Sequence, residues 1–249
     1  MLKKRIIPVL LISRNLLIKT KNFTSDRTVG NIIQSIKIFN KRESDELTII
    51  DVDASRGFGS IETGFMREIV AECNMPISAG GGIKTNAEIE NLLKIGFDKV
   101  VINKAFLINP DFIEESVKKF GSQSITIGID VIKKDNEFKI MTQNKNKYAK
   151  KLSSWIAFAQ SKDVGEFFFT SVNYEGMMRG YDYELINFIH PLIKKPILFN
   201  GGCKSIADCE KILSLEKVMG ACASSIFFFT KLTPASIKSK IKKNINVRV

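Results

Sequence analysis

Two glycine motifs stand 120 residues apart (201 − 81 = 120) and carry the clearest chemical signal in the sequence. Gly81 and Gly82 lie in one motif, and Gly201 and Gly202 lie in the other. Each motif follows an apolar segment and precedes an amphipathic one, which predicts a turn from a β-strand into an α-helix. Glycine lets backbone N–H groups approach an anion closely, and the helix N-terminus adds partial positive charge. We therefore expect two phosphate-binding turns; the alternative is that each glycine pair only turns the chain.

Further polar residues are predicted at the ends of strands. Asn103 and Ser224 end the apolar segments that come next after each glycine motif, and their side chains can add donors to a bound phosphate. Thr170 ends another apolar segment and is predicted to bind substrate. In a parallel sheet all such ends meet at one edge, so we expect these residues to lie close together.

Asp130 is the best candidate for a general acid or base, because it ends an otherwise apolar strand. Partial burial would raise its pKa toward a useful value; the alternative is a structural carboxylate that caps a loop. Asp51 could orient substrate hydroxyls or accept backbone N–H bonds. Lys19 could cover a phosphate or be an ordinary surface lysine.

The chain of 249 residues has a formal charge of +12, from 38 basic and 26 acidic residues. Much of the excess lies between Lys133 and Lys151 and in the segment from Lys231 to Arg248. These stretches are lysine-rich and show no aromatic interleaving of the kind that stacks on bases, so we do not expect nucleic-acid binding. A preference for anionic, phosphorylated small molecules fits the charge as well.

Cysteine and histidine are sparse, which excludes several kinds of site. The four cysteines form no C-x-x-C pair, and there is one histidine, His190. We therefore expect no zinc site, no cofactor and no Ser-His or Cys-His catalysis, but buried free thiols in a reducing cytoplasm. The apolar run over residues 6–12 is too short to span a membrane and is predicted to be the first strand.

The pattern of the whole chain predicts an α/β fold with eight strand–helix pairs. We expect residues 1–249 to form a single (β/α)8 TIM barrel built from two similar halves, with an open doubly wound sheet as the alternative. The strand ends repeat in step (171 − 51 = 120; 130 − 11 = 119). Residues 13–30 are predicted to be a long loop, of the kind that often forms a functional lid. Residues 133–151 are predicted to be a polar hairpin.

Over nearly its whole length the chain resembles the cyclase (HisF) subunit family of imidazole glycerol phosphate synthase. The resemblance implies a barrel, and two glycine turns on opposite sides of one barrel mouth would suit an elongated ligand with a phosphate at each end. It rests on these segments: Lys4-Arg5-Ile6-Ile7-Pro8, Lys19, Asn22-Phe23, Asp45-Glu46-Leu47, Asp51, Ala54-Ser55, Gly80-Gly81-Gly82-Ile83, Asp98-Lys99-Val100, Ile102-Asn103, Phe120-Gly121-Ser122-Gln123, Ile129-Asp130, Thr170-Ser171, Gly180-Tyr181-Asp182, Gly201-Gly202 and Asn246-Val247-Arg248.

The resemblance also implies a partner and an ammonia route. In that family a glutaminase docks on the face formed by the strand N-termini, and ammonia passes through the barrel to the mouth. The charged ring at the family's entrance is matched here by Arg5, Glu46, Lys99 and Glu166. A buried ionised group is tolerated only when it is paired, so the four together favour a retained route. A purely structural ion-pair plug is the alternative.

The chain departs from the family at several functional positions. The family carries catalytic aspartates at the ends of strands one and five, but here the first-strand position is Leu11, which cannot transfer a proton. Lys104 stands where the family has a small hydroxyl residue, and Glu175 replaces an aspartate. Thr20 and Asn31-Ile32 replace glycine-type and acidic residues in the first loop.

The apolar first-strand end is similar to a paralogous group tied to amidination of sugars in surface polysaccharides, where an acetamido group becomes an acetamidino group. The resemblance therefore implies an ammonia-dependent synthase subunit, and we favour the sugar-amidination version. The alternatives are authentic imidazole glycerol phosphate synthesis in the histidine pathway, and a non-catalytic scaffold that docks a glutaminase and conducts ammonia.

Overall fold

Eight parallel strands close into a barrel in this computed structural model, which describes residues 3–58, 61–141 and 151–248. The last strand pairs with the first, with Arg5 opposite Gly220 and Pro8 opposite Ala223. The predicted (β/α)8 barrel is therefore confirmed, and the open sheet is excluded. The barrel strands are β1 Arg5–Ser13, β4 Leu47–Asp51, β5 Ile77–Gly80, β6 Lys99–Ile102, β7 Ile125–Lys134, β9 Glu166–Ser171, β10 Ile197–Asn200 and β11 Val218–Ala223.

Helices follow the strands and cover the outside of the barrel. Six of the helices have an N-cap residue whose side chain accepts a backbone N–H, such as Thr85 in α4 and Ser205 in α9. In the described residues the barrel helices are α1 Ile32–Lys41, α2 Val52–Arg56, α3 Thr63–Glu72, α4 Asn86–Ile95, α5 Lys104–Ile108, α6 Pro110–Phe120, α7 Leu152–Gln160, α8 Tyr183–Ile189, α9 Ile206–Leu213, α10 Ser225–Phe229 and α11 Pro234–Ile241. None of these helices is long and apolar enough to cross a lipid bilayer.

Side chains alternate along the strands between two cores. In β1, Ile6 and Leu10 face the helices, whereas Ile7 and Val9 face the barrel axis with Phe168 of β9. Successive residues of a strand point to opposite faces, and both faces of this sheet are buried. This explains why the strands appear in the sequence as continuous apolar runs.

The twofold repeat extends to individual backbone contacts. Gly81 and Gly201 both have positive φ, +112° and +105°. A Cβ on Gly81 would lie 2.2 Å from the carbonyl oxygen of Asp51, and a Cβ on Gly201 would lie 2.7 Å from that of Ser171. Asp51 and Ser171 are themselves 120 residues apart (171 − 51 = 120). Each glycine therefore meets the equivalent atom of its own half.

Residues 13–30 are not the long loop that we expected. They form an antiparallel hairpin of β2 Leu16–Lys21 and β3 Thr24–Asn31, and β2 pairs with β1 from Leu11 to Ser13. Asn22 and Phe23 make the turn with positive φ. The polar composition of this segment did not indicate strands. They form because the backbone groups of β2 and β3 make hydrogen bonds to β1 and to each other rather than to water.

A second hairpin extends the fifth barrel strand. β7 continues past Asp130 to Lys134 and pairs with β8, Glu137–Ile140. The backbone then returns to the mouth, where the Met141 N–H donates to the carbonyl of Asp130 at 2.8 Å. The predicted hairpin is thus found over residues 133–140, and its remaining part, 142–150, lies outside the described residues.

Candidate functional site

A cavity of about 640 Å³ opens at the carboxyl ends of the barrel strands, within the range of small-molecule sites. Both glycine turns lie at this same mouth. We name the side with Gly81, Gly82, Asn103 and the start of α5 the first cup. The side with Gly201, Gly202, Ser224 and the start of α10 is the second cup. The predicted residues that line the cavity are Gly81, Gly82, Asn103, Asp130, Thr170, Gly201, Gly202 and Ser224.

The glycines are required by packing. Besides the contacts of Gly81 and Gly201, a Cβ on Gly82 would lie 2.6 Å from the Ala54 carbonyl oxygen, and one on Gly202 would lie 2.1 Å from that of Gly180. Their presence is therefore explained by the turns alone, and the phosphate hypothesis depends on where they lie. Both pairs line the one cavity that holds Asp130.

Asp130 lies at the centre of a polar network. Its Oδ2 accepts a hydrogen bond from Nδ2 of Asn103 at 2.7 Å, and the Thr170 side chain also bonds to it. Asn200 in turn donates to the Thr170 hydroxyl at 3.4 Å. Burial raises the pKa of Asp130 to about 6; the bonds from Asn103 and Thr170 oppose this rise, and the charge of Glu175 adds to it. Such a carboxyl can both accept and release a proton near neutral pH.

Glu175 is a cavity residue that our site prediction missed. It lies beyond the end of β9, is 6% exposed, and lines the mouth. Its carboxylate accepts bonds from the Thr20 hydroxyl at 2.8 Å and from the Phe23 N–H at 3.4 Å, so the β2–β3 hairpin holds it. Burial raises the pKa of Glu175. Glu175 does not end a strand, so the criterion that identified the other candidates did not apply to it. The one signal in the sequence was that the related family has an aspartate at this position.

Lys19 is not a surface lysine. It lies in β2, is 5% exposed, and its Nζ donates to the hydroxyl of Ser224. The ammonium group also lies 4.1 Å from the centre of the Phe228 ring. Burial lowers the pKa of Lys19 to about 7, against the charge of Glu175. Lys19 does not line the cavity itself; it lies beside the second cup, behind Ser224.

Asp51 is not among the residues that line the cavity, although its neighbours Ile50 and Val52 are, and its role in substrate binding stays a prediction. Its carboxylate accepts the Ala54 N–H at 2.9 Å and caps α2. Burial raises its pKa. Of the two roles considered for Asp51, accepting backbone N–H bonds is the one that the structure shows, because a short helix starts directly after this strand.

The four predicted gate residues meet at the opposite end of the barrel and form a closed ring. Arg5 bonds to Glu46 at 2.5 Å and to Glu166 at 2.8 Å, and Lys99 bonds to the same two carboxylates at 3.3 and 2.8 Å. Ser78 adds a bond to Glu46 at 3.0 Å. Burial alone would raise the pKa of Glu166, but the charges of Arg5 and Lys99 outweigh it and lower that pKa. The ring therefore separates the barrel interior from solvent with paired charges.

An apolar layer lies between this ring and the mouth. Ile7, Val101 and Phe168 belong to it, and Leu11 and Ile50 pack against it from the mouth side. Leu11 lines the cavity, so the first-strand position that carries an aspartate in the related family here presents a hydrocarbon surface to the ligand space.

Comparison with known proteins agrees with this architecture. Residues 5–233 match the family described as Histidine biosynthesis protein. A protein of Campylobacter jejuni is 36% identical over 98% of this chain and 97% of its own length. It is provisionally named imidazole glycerol phosphate synthase subunit hisF2. A protein of Vibrio vulnificus, provisionally named subunit hisF3 of that synthase, is 37% identical over 92% of this chain and 89% of its own.

The imidazole glycerol phosphate synthase subunit HisF of Phocaeicola vulgatus is 30% identical over the full length of both chains. The family match covers most of the chain, and the three relatives are aligned over 92% or more of it. This chain belongs to the histidine biosynthesis protein family, as a HisF-like barrel subunit.

Proposed function

We propose that this chain is the barrel synthase subunit of a glutamine amidotransferase complex, in which glutaminase-derived ammonia reacts with a phosphorylated substrate. The observation that carries the proposal is that the two ends of the same barrel hold different kinds of site. A closed ring of four paired charges lies at the strand N-termini, and a cavity with a titratable carboxyl lies at the strand C-termini. Ionised groups so far out of water need a reason beyond stability, because such pairs contribute little net free energy.

A glutaminase would dock on the face that carries the ring. The related proteins bear the name of a synthase subunit, which supports a partner in the same complex. Lys99 bridges two carboxylates, so a shift of its one side chain would open the ring toward the barrel axis. Ammonia would then pass the apolar layer around Phe168, which excludes water and ions, and reach the mouth near Asp130.

Asp130 would move the protons of the reaction. Ammonia adds to a carbonyl-type carbon, and the adduct must lose a proton from nitrogen and gain one on the departing oxygen, so that water leaves. A carboxyl with a pKa of about 6 can do both in turn. Asn103 and Thr170 hold it toward the cavity, and the two cups would bind the anionic ends of the substrate.

Our preferred substrate is a sugar of a surface polysaccharide, whose acetamido group becomes an acetamidino group. Leu11 supports this version, since a leucine at the end of β1 removes one of the two carboxylates that the cyclase family uses. A single addition of ammonia with loss of water needs fewer proton transfers than ring closure does. The apolar wall of Leu11 and Ile50 would also suit the methyl group of an acetamide.

Authentic imidazole glycerol phosphate synthesis is the second candidate. Full-length similarity to the HisF subunit of Phocaeicola vulgatus favours it, as does Glu175, a second carboxylate in the mouth. The decisive test supplies the histidine-pathway precursor of imidazole glycerol phosphate together with an ammonium salt. We expect no formation of imidazole glycerol phosphate by the wild-type chain, and robust turnover would exclude the sugar-amidination version.

A non-catalytic conduit is the third candidate, and Asp130→Asn separates it from catalysis. In a complex reconstituted with the glutaminase, we expect the product to form about 10²–10⁴-fold more slowly in the variant. Hydrolysis of glutamine by the partner serves as the internal control and should continue. Unchanged product formation would mean that the barrel only conducts ammonia.

A further inference from the structure

The two halves of the barrel allow each cup to be compared with its own counterpart. Asn103 and Ser224 hold the same position (224 − 103 = 121) and the same irregular backbone, with φ/ψ of −117°/−85° and −129°/−74°. The helices that follow them, α5 and α10, are both five residues long. The two cups therefore have the same backbone conformation and differ in their side chains.

Those differences add two cationic side chains to the side of the first cup. Lys104 begins α5 where Ser225 begins α10, and Arg56 stands where the other half has Gly176 (176 − 56 = 120). All four of these residues line the cavity. Among the described residues that line it, the cationic side chains are Arg56, Lys84 and Lys104, and all three belong to the side of the first cup.

We infer that the first cup binds a diphosphate group, whereas the second cup binds at most a single phosphate. This inference rests on the proposed function, in which the mouth takes a phosphorylated substrate. A diphosphate offers two adjacent anionic groups, and two flexible lysines with one arginine can contact both of them. A single phosphate on the backbone N–H groups of the glycine turn would present one anionic group to the cationic side chains of this cup, whereas a diphosphate presents two.

Arg56 can bind the diphosphate at a small cost in free energy. It now bonds to both carboxylate oxygens of Asp26 in the hairpin, but both side chains are about 30% exposed. Exposed ion pairs contribute little to stability, because water competes for both partners. A diphosphate would therefore replace Asp26 as the partner of Arg56, or share its guanidinium group.

The surface next to the first cup is apolar. Leu107 and Ile108 follow Lys104 along α5 and line the same cavity, and Ile108 is 59% exposed. The organic group beyond the diphosphate would contact this surface. A nucleoside and an isoprenoid chain would both do so, and the shared chemistry is that of a diphosphate ester.

Trp155 provides a reporter for this cup. It is the single tryptophan of the chain, and its ring centre lies 4.6 Å from that of Phe106 in α5. We would titrate the full-length protein with inorganic phosphate and with inorganic pyrophosphate, following tryptophan fluorescence and, in parallel, heat release by calorimetry. We expect pyrophosphate to bind at least about tenfold more tightly than phosphate, since one further charge-assisted contact is worth that much.

The variants make the first cup resemble the second. Lys104→Ser and Arg56→Gly should each reduce the preference for pyrophosphate, and the double variant should abolish it. Lys94→Ser is the matched control, because it removes the same charge from the exposed face of α4 and should keep the preference. Uridine diphosphate and geranyl diphosphate, used as further ligands, distinguish a nucleoside from an isoprenoid ester.

Equal affinity of the wild-type protein for phosphate and pyrophosphate would overturn the inference. So would a preference that persists in the double variant. Either result can stand beside intact ammonia-dependent turnover, which would leave the proposed function untouched. Failure to bind any phosphate compound would instead remove the basis of both.

Discussion

Asn103 donates a hydrogen bond from its side-chain amide to Oδ2 of Asp130 at 2.7 Å, and so joins the first cup to the carboxyl group at the centre of the mouth. The sequence suggested only that Asn103 binds phosphate. The bond stabilises the charged form of Asp130 and opposes the effect of burial on its pKa. A phosphate bound at Asn103 would therefore act on the protonation of Asp130 through one side chain.

Replacing Asn103 should raise the pKa of Asp130. In Asn103→Ala we expect that pKa to lie above the value of about 6 in the wild type, because burial remains and one stabilising bond is lost. Carbon-13 NMR of labelled aspartate carboxyls measures it directly, without a substrate. Asn200→Ala is the matched control, because Asn200 bonds to Thr170 and not to Asp130. An unchanged or lower pKa in Asn103→Ala would contradict the geometry.

Removing the Asp130 charge should stabilise the protein at high pH. The folded-state pKa of about 6 lies above the ordinary value of 3.8, so this group favours the folded state most below pH 3.8 and loses that contribution as the pH rises through 6. In Asp130→Asn the free energy of unfolding should be higher by up to ~3 kcal/mol near pH 8. The difference should shrink as the pH falls through 6 toward 4.

Urea unfolding of both proteins across this pH range gives the comparison. The sign is informative, since most substitutions in a protein interior destabilise it. A variant that is less stable than the wild type near pH 8 would mean that Asp130 is a structural carboxylate rather than one held for chemistry.

The gate ring should be sensitive to the loss of one cation. In Lys99→Met, Arg5 is the one charged partner that Glu46 and Glu166 keep among the described residues, and the free energy of unfolding should fall by about 3–5 kcal/mol at neutral pH. Lys94→Met breaks an exposed pair with Glu90 and should leave the free energy of unfolding nearly unchanged, because water competes for both partners. Equal effects of the two substitutions, measured by urea unfolding, would show that the ring is not a tightly paired buried cluster.

The first glycine turn should not accept a side chain. In Gly81→Ala a Cβ would lie 2.2 Å from the Asp51 carbonyl oxygen, whereas in Gly57→Ala, at φ of +88°, it meets nothing within 4 Å. Both variants carry the cost of a left-handed backbone, roughly 1 kcal/mol. Gly81→Ala should therefore destabilise the fold by at least about 2 kcal/mol more than Gly57→Ala does, since the backbone must shift. Similar melting temperatures for the two would refute this contact.

The barrel could be predicted because its strands are buried on both faces and its halves repeat. Thr170 was expected at the end of an apolar segment and lies near the end of β9, and the glycine motifs indicated the phase of the repeat. The short helices α2, α5 and α10 were missed, because five residues are too few to show a helical period.

The candidate site was predictable where residues end strands, as Asp130 and Thr170 do. Glu175 and Lys19 could not be placed in this way, because tertiary contacts position them. Glu175 is held by Thr20 and Phe23 of the β2–β3 hairpin, and Lys19 is buried against Ser224 from the far end of the chain. Neither contact leaves a local pattern, since the partners are more than a hundred residues apart.

The β2–β3 hairpin covers one end of the mouth and leaves the other end open. Its turn lies against the loop after β9, where the Asn22 N–H donates to the Glu175 carbonyl, and Lys19 reaches Ser224 below it. One end of the cavity is thus roofed by strand, while Lys84 and Lys104 at the other end are exposed. An elongated ligand would enter narrow end first, slide beneath the roof, and leave its bulkier group outside, so the site could act on the tip of a molecule much larger than the cavity.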